Sequence, residues 1–169
     1  MINLKFCPKC GHEILQFDGK NKLYCTHCDF VIYHNCAAAV AVVIRYKDEI
    51  LLTKRNQNPG MGKLDLAGGF TDPEESAEET CARELKEEMG AEIDKTRLKF
   101  LMSLPNVYQY KNIDYNTLDL FFEYELKEKS FVEKLETREI SEIVWVKLSE
   151  LNLDEIAFES QKNFFRQYL

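Results

Sequence analysis

Glu84, Glu87 and Glu88 lie in the stretch Gly69–Ala91, GFTDPEESAEETCARELKEEMGA. On a helix they fall at i, i+3 and i+4, so three carboxylates share one face. Like charges at that spacing repel, and helix stability alone gives no reason to gather them. A hard divalent cation such as Mg²⁺ or Mn²⁺ does, because it takes oxygen ligands and neutralises the cluster. A charge run of this kind is more often a plain solvated face. Here it stands in register with Arg83, with Glu75 and with the glycine pair Gly68-Gly69, where a backbone carbonyl or N–H can approach a ligand closely.

The elements that must position these groups carry their own signals. Ser76 followed by Glu79 is a capping box, and Gly90 supplies a C-terminal stop. Between them AEETCARELKEEM is rich in good helix formers, which predicts a helix ending at Gly90. Upstream, CAAAVAVVIRY and EILLTKR, split by Lys47-Asp48, predict a hairpin of β-branched strands, with Cys36 a buried free thiol at its start. Residues 56–62 have loop composition, and Lys63–Ala67 is a short strand delivering the chain to Gly68. Further strands are expected over Arg97–Leu104, Leu118–Leu126 and Glu139–Val146, and a helix over Leu153–Leu169. Between the first two of these lies a tyrosine-rich loop carrying Tyr108, Tyr110 and Tyr115, rings that could stack a nucleobase.

A second constellation stands near the N-terminus. Cys7-x-x-Cys10 and Cys25-x-x-Cys28 form two knuckles around a hairpin-turn sequence, Asp18-Gly19-Lys20-Asn21. Four thiolates at this spacing complete a tetrahedral Zn²⁺ site, and about thirty residues need such a staple to fold. His12, His27 and His34 are then surface residues or neighbours of the site. The region is a small zinc ribbon, with 33/34 as the expected boundary.

The chain has 169 residues, 45% of them hydrophobic, which suits one ordinary domain plus a small appendage. A net charge of −7 gives no basic field for nucleic acid or anionic membrane. The opening MINLKF lacks the order of a secretion signal, and the longest apolar run is too short to span a bilayer. A cytoplasmic setting and metal-binding cysteines follow as expectations.

Written as a pattern, the acidic stretch is G-x5-E-x7-R-E-L-x-E-E-x-G-A. It resembles the signature of the Nudix hydrolases at every fixed polar and glycine position: Gly69, Glu75, Arg83, Glu84, Glu87, Glu88 and Gly90. Ala91 departs, being small where the family prefers a bulky apolar residue, and Ala67 replaces a proline common before the glycine pair. The resemblance implies an α/β fold, an α/β/α sandwich over residues 34–169, with a mixed sheet, the signature helix on one face and the C-terminal helix on the other. It implies Glu84, Glu87 and Glu88, with the Gly68 carbonyl, as ligands of Mg²⁺ or Mn²⁺. Arg83 would hold a carboxylate through a bidentate pair, with Glu75 beside it. The general base is not fixed by the signature: Glu84 or a carboxylate outside it could serve, and Glu139 is the candidate for that outside carboxylate, with Glu123 and Glu142 as rivals.

The implied chemistry is hydrolysis of the pyrophosphate bond of a nucleoside diphosphate linked to X, such as ADP-ribose, another nucleotide sugar or a dinucleotide like NADH. A zinc ribbon before a Nudix domain is similar to the arrangement of NADH pyrophosphatases, yet their Ser-Gln-Pro-Trp-Pro-Phe-Pro-x-Ser signature is reduced here to Ser103 and Pro105. Two further classes stand as alternatives: a nucleotide-sensing module without turnover, and a ribbon-led RNA or protein adaptor. A homodimer is the expected assembly if the chain is not monomeric.

Overall fold

Alternation along one strand explains how the sheet is buried on both faces. In Ala37–Tyr46 (β4), Val40, Val42 and Ile44 join one core and Ala41 and Val43 the other. The computed structural model describes residues 4–13, 15–129, 136 and 138–169, in two compact units that meet between Cys36 and Ala37.

In the first unit, Leu15–Phe17 (β1), Lys22–Cys25 (β2) and Val31–Tyr33 (β3) form a three-stranded antiparallel sheet in that order. The β1–β2 turn is tied by the Asp18 carboxylate, whose Oδ1 accepts from the amides of Lys20, Asn21 and Lys22 at 2.8, 3.1 and 3.1 Å. Cys36 is exposed, against the expectation of a buried thiol. The burial pattern of β4 places Ala37 and Ala38 in solvent too, so the apolar run enters the core only from Val40 onward.

The second unit continues with Glu49–Arg55 (β5), Leu64–Asp65 (β6), the helix Ala77–Met89 (α1), Lys99–Tyr110 (β7), Ile113–Glu125 (β8), Ile140–Lys147 (β9) and the helix Glu159–Tyr168 (α2). The strand order is β6-β5-β4-β8-β7, with β9 pairing β5; β4 and β8 are parallel and the other ladders antiparallel, so the sheet is mixed. Cys81, Leu85 and Met89 of α1 pack with Val42, Ile44, Leu51 and Phe122, while Phe164 and Phe165 of α2 pack with Val43, Ile50, Leu52 and Phe121. Fully burying a side chain such as Phe164 or Leu85 contributes about 1.5–3 kcal/mol, so each helix is secured mainly by its apolar stripe. The expected α/β/α sandwich is present.

Two elements differ from expectation. The tyrosine-rich segment is no loop: β7 and β8 run through it to a tight turn at Lys111-Asn112, both at positive φ (48° and 62°), pairing Tyr108 with Tyr115 and Tyr110 with Ile113. Pro105 is tolerated because β7 is an edge strand. The C-terminal helix begins at Glu159, because Ile156 bridges to Leu64 and the Ala157 amide donates to the Leu64 carbonyl at 2.8 Å, holding that stretch extended.

Candidate active site

Helix α1 begins with the capping box in place: the Ser76 hydroxyl accepts from the Glu79 amide at 3.2 Å, and the Glu79 carboxylate accepts from the Ser76 amide at 2.9 Å. Gly90 ends it in the left-handed conformation (φ 67°), its N–H returning to the Leu85 and Lys86 carbonyls. With Thr80, Cys81, Leu85 and Met89 buried against the sheet, Arg83, Glu84, Glu87 and Glu88 line a cleft of about 720 Å³.

Arg83 is the hub of that lining. Its Nε and Nη2 donate to the two oxygens of Glu75 at 2.8 and 3.0 Å, the bidentate pair the signature implies. Nη1 reaches Glu84 at 2.7 Å and Glu87 at 3.3 Å, and Nη2 also donates to the Phe70 carbonyl at 2.9 Å. Glu75 is braced further by the Thr80 hydroxyl and the Asp72 amide, and hydrogen bonds from Arg83 hold its carboxyl down at about 2. One guanidinium thus fixes three carboxylates and a backbone carbonyl at once.

The glycine pair is required by contact. A Cβ on Gly68 would lie 2.1 Å from the Val40 carbonyl oxygen, and φ there is +147°. A Cβ on Gly69 would lie 2.4 Å from Glu84 Oε1. The bare backbone therefore runs directly beneath the Glu84 carboxylate, and the Gly68 amide hydrogen-bonds Glu88.

Electrostatically the site is unfinished. Burial pushes the Glu84 carboxyl up, opposed by Arg83 and reinforced by Glu87 and Glu139. Burial, with Asp65 and Glu84, pushes Glu88 well above the carboxylate range, against the Gly68 amide. Glu88 Oε2 is shielded from solvent and has no hydrogen-bond partner. A shielded, unpartnered carboxylate oxygen among like charges fits a divalent ion with oxygen ligands.

Glu139 lines the same cleft, and its charge is felt by both Glu84 and Glu88. Glu136 stands beside it, its amide donating to the Glu88 carbonyl at 2.8 Å. The two rivals lie elsewhere. Glu123 accepts from Tyr168 at 2.5 Å and pairs with Arg45 at 3.6 Å, and Glu142 pairs with Lys54 at 3.6 Å.

The remaining wall holds residues the sequence did not single out. Arg55 and Asp65 form a close ion pair, Gln161 donates to Asp65 at 2.5 Å, and the Arg55 guanidinium lies 4.9 Å from the centroid of the Phe158 ring. Asp119 accepts from Thr117 and Ser160, both at 2.6 Å. Tyr108 touches Phe70 edge-on (5.5 Å) and Phe158 (5.9 Å), so of the three tyrosines it is the one lining the cleft.

In the first unit the Sγ atoms of Cys7, Cys10, Cys25 and Cys28 all lie within 4.8 Å of one another. The Cys7–Cys28 and Cys10–Cys25 separations are 3.7 Å, close to the edge of ~3.8 Å that a tetrahedron with Zn–S bonds of ~2.3 Å requires. Two of the three histidines sit beside the cluster: the His12 and His27 rings stack at 3.7 Å, and the His27 amide points at Cys25 Sγ. The donor set fits zinc.

A NUDIX domain profile matches residues 34–168. Curated relatives include an NAD-capped RNA hydrolase NudC from Haemophilus influenzae (strain PittGG), 36% identical over 95 residues, which are 55% of this chain and 36% of that protein. The protein of the same name from Pseudomonas fluorescens is 35% identical over 89 residues, 53% of this chain and 32% of that one. The match thus spans about a third of those relatives' length. A solved NUDIX hydrolase from Nitrosomonas europaea is 25% identical with a TM-score of 0.66 over 97% of this chain and 92% of that one. The NUDIX domain of Shewanella oneidensis NrtR, crystallised with ADP ribose, shares the fold at 20% identity and a TM-score of 0.64, over 80% of this chain and 88% of that one. No helix among the described residues is long and apolar enough to cross a membrane. With Gly69, Arg83, Glu84, Glu87 and Glu88 of the signature lining one cleft and the profile covering most of the chain, this protein belongs to the Nudix family.

Proposed function

We propose that the cleft hydrolyses the pyrophosphate bond of a nucleoside diphosphate linked to X, and that the four-cysteine unit is a structural zinc ribbon preceding the hydrolase domain. The shielded, unpartnered Glu88 Oε2 beside Glu84 and the bare Gly68-Gly69 backbone carries this conclusion. Glu84, Glu87, Glu88 and the Gly68 carbonyl would hold Mg²⁺ or Mn²⁺, which supplies charge neutralisation at the phosphates and an acidified water. The chain's own residues do the rest. Arg83, fixed by Glu75, keeps Glu84 aimed into the cleft. Glu139, exposed on the same wall, is the proton acceptor for the attacking water. Phe70, Tyr108 and Phe158 offer ring surface to the nucleoside or to X.

The test is a panel with Mg²⁺ or Mn²⁺ containing ADP-ribose, nucleotide sugars, NADH and NAD-capped RNA, read by phosphatase-coupled phosphate release and, for the RNA, by loss of the cap. Turnover of no member overturns the proposal. Capped RNA is included because the NudC relatives are named for it, although a net charge of −7 gives this chain little general attraction to nucleic acid. A nucleotide sensor without turnover is disfavoured by the complete carboxylate set.

A further inference from the structure

We infer that Gln161, in the first turn of α2, is a positioning residue that acts through Asp65 on Arg55, and that Arg55 receives an oxyanion of the substrate on the wall of the cleft. The inference rests on the diphosphate reading for its ligand and on a separate set of contacts for its geometry.

Gln161 and Asp65 are 6% and 7% exposed. The Gln161 side chain uses both ends: Oε1 accepts from the Leu66 amide at 3.1 Å, and Nε2 donates to Asp65 Oδ1 at 2.5 Å. Asp65 Oδ2 takes Arg55 Nη1, and Arg55 Nε donates to the Pro59 carbonyl at 2.6 Å. The guanidinium face lies against Phe158, the residue that opens α2. Arg55 is therefore held by one carboxylate, one carbonyl and one ring; the ring, Phe158, and the amide that holds the carboxylate, Gln161, both come from the start of α2.

A buried ion pair with an added amide is not needed for stability, since well-packed apolar residues do as well or better. Its retention at a cleft wall points to positioning. Charge supports the same conclusion. The described lining residues include three arginines and no lysine against eight carboxylates. Arg83 is committed to Glu75, Glu84, Glu87 and the Phe70 carbonyl, and Arg138 is held by Glu136 with its side chain 88% exposed. Arg55 is the cation held rigidly with its side chain 15% exposed, and a planar fork so oriented suits a phosphate oxygen.

The experiment is a double-mutant cycle on the full chain, with ADP binding in Mg²⁺ measured by calorimetry. Gln161→Leu and Arg55→Ala should each weaken ADP by about tenfold, and the double variant should bind no more weakly than Arg55→Ala alone. Gln161→Asn, one methylene too short to serve Leu66 and Asp65 together, should repeat the loss and stands in if Gln161→Leu does not fold. Steady-state turnover should show KM raised with kcat within about threefold. Wild-type affinity in both Gln161 variants, a lowered melting temperature with unchanged affinity, multiplying effects in the double variant, or no ADP binding by the wild type each overturns the inference. If the cycle holds but no diphosphate is cleaved, the hydrolase reading fails and the anion wall stands; cleavage without coupling removes the wall alone.

Discussion

Replacing Glu88 with Gln separates the two consequences of its placement. Without an ion, its Oε2 is shielded and unpartnered, and burial together with Asp65, Glu84 and Glu139 raises its carboxyl well above the ordinary range. A carboxylate raised on folding adds stability that is fully present below its unfolded pKa, about 4.3, and is lost as pH rises through the folded value. At pH 8 the ion-free wild type therefore carries the cost of that raised carboxyl, as a buried charge or as a proton taken up on folding, whereas an amide carries neither and still offers an oxygen to the Gly68 N–H. Relieving one unsatisfied buried polar group is worth about 1–3 kcal/mol. At about 2–4 °C per kcal/mol for a chain of this size, Glu88→Gln in EDTA at pH 8 should melt about 2–12 °C above the wild type, with a smaller gap at pH 5. Saturating Mg²⁺ should reverse the order, since binding at a hundred times Kd stabilises the wild type by about 2.7 kcal/mol and the variant little. Turnover should fall by roughly 100-fold or more, about 2.7 kcal/mol of barrier. Thermal melts with EDTA or Mg²⁺ at both pH values, alongside phosphate release, measure all of this. A variant that melts below the wild type in EDTA at pH 8 refutes the buried-charge argument, and one with wild-type turnover refutes the ligand assignment.

The glycine pair should divide along the same line. Gly69→Ala pushes Glu84 aside from 2.4 Å and should cost about 100-fold in turnover with a modest change in melting. Gly68→Ala meets backbone at 2.1 Å and should destabilise by more than about 3 kcal/mol in denaturant titration. Arg83→Lys cannot fork onto Glu75 while reaching Glu84 and the Phe70 carbonyl, so turnover should drop about 10–100-fold with the helix intact by circular dichroism; an unchanged rate would show the hub to be dispensable. Elemental analysis should find one zinc per chain, and Cys10→Ser should lose both the zinc and a low-temperature melting step. Protein purified without chelators and found free of zinc would dispose of the ribbon.

What was legible in the sequence is what is local. The capping box, the Gly90 stop and the i, i+3, i+4 carboxylates each depend on residues within one helix, so their spacing carries their geometry. The cysteine pairs are legible for the same reason, with the turn at Asp18 bringing the knuckles together. The wall around Arg55 was not. Gln161 meets Asp65 and Leu66 across 96 and 95 positions, and no local pattern distinguishes it from any polar residue on a C-terminal helix. In the sequence Glu139 stands out only as an acidic residue at the head of an expected strand; Glu123 and Glu142, acidic residues inside expected strands, carry no weaker signal, yet both form ion pairs elsewhere. The tyrosine segment reads as a loop because its turn signal is faint, Lys111-Asn112 being weaker than Asn-Gly. Its period-two order of Asn106, Tyr108 and Tyr110 against Tyr115 and Thr117 was the available clue.

The two cores explain how the chain tolerates so hostile a cluster. α1 places Glu84, Glu87 and Glu88 where they repel one another, yet Cys81, Leu85 and Met89 on its other side are fully buried with Val42, Ile44 and Phe122. Three such side chains contribute about 5–9 kcal/mol at about 1.5–3 kcal/mol each. That exceeds the few kcal/mol that repulsion and one unsatisfied oxygen cost. The helix is therefore anchored by its apolar stripe, leaving its acidic face to be set by what it binds. Arg83 alone cannot discharge that face, because its guanidinium is shared among Glu75, Glu84 and Glu87 while Glu88 lies beyond its hydrogen bonds. The residual negative charge sits beside Gly68, where the backbone comes closest, and there an incoming cation is favoured most.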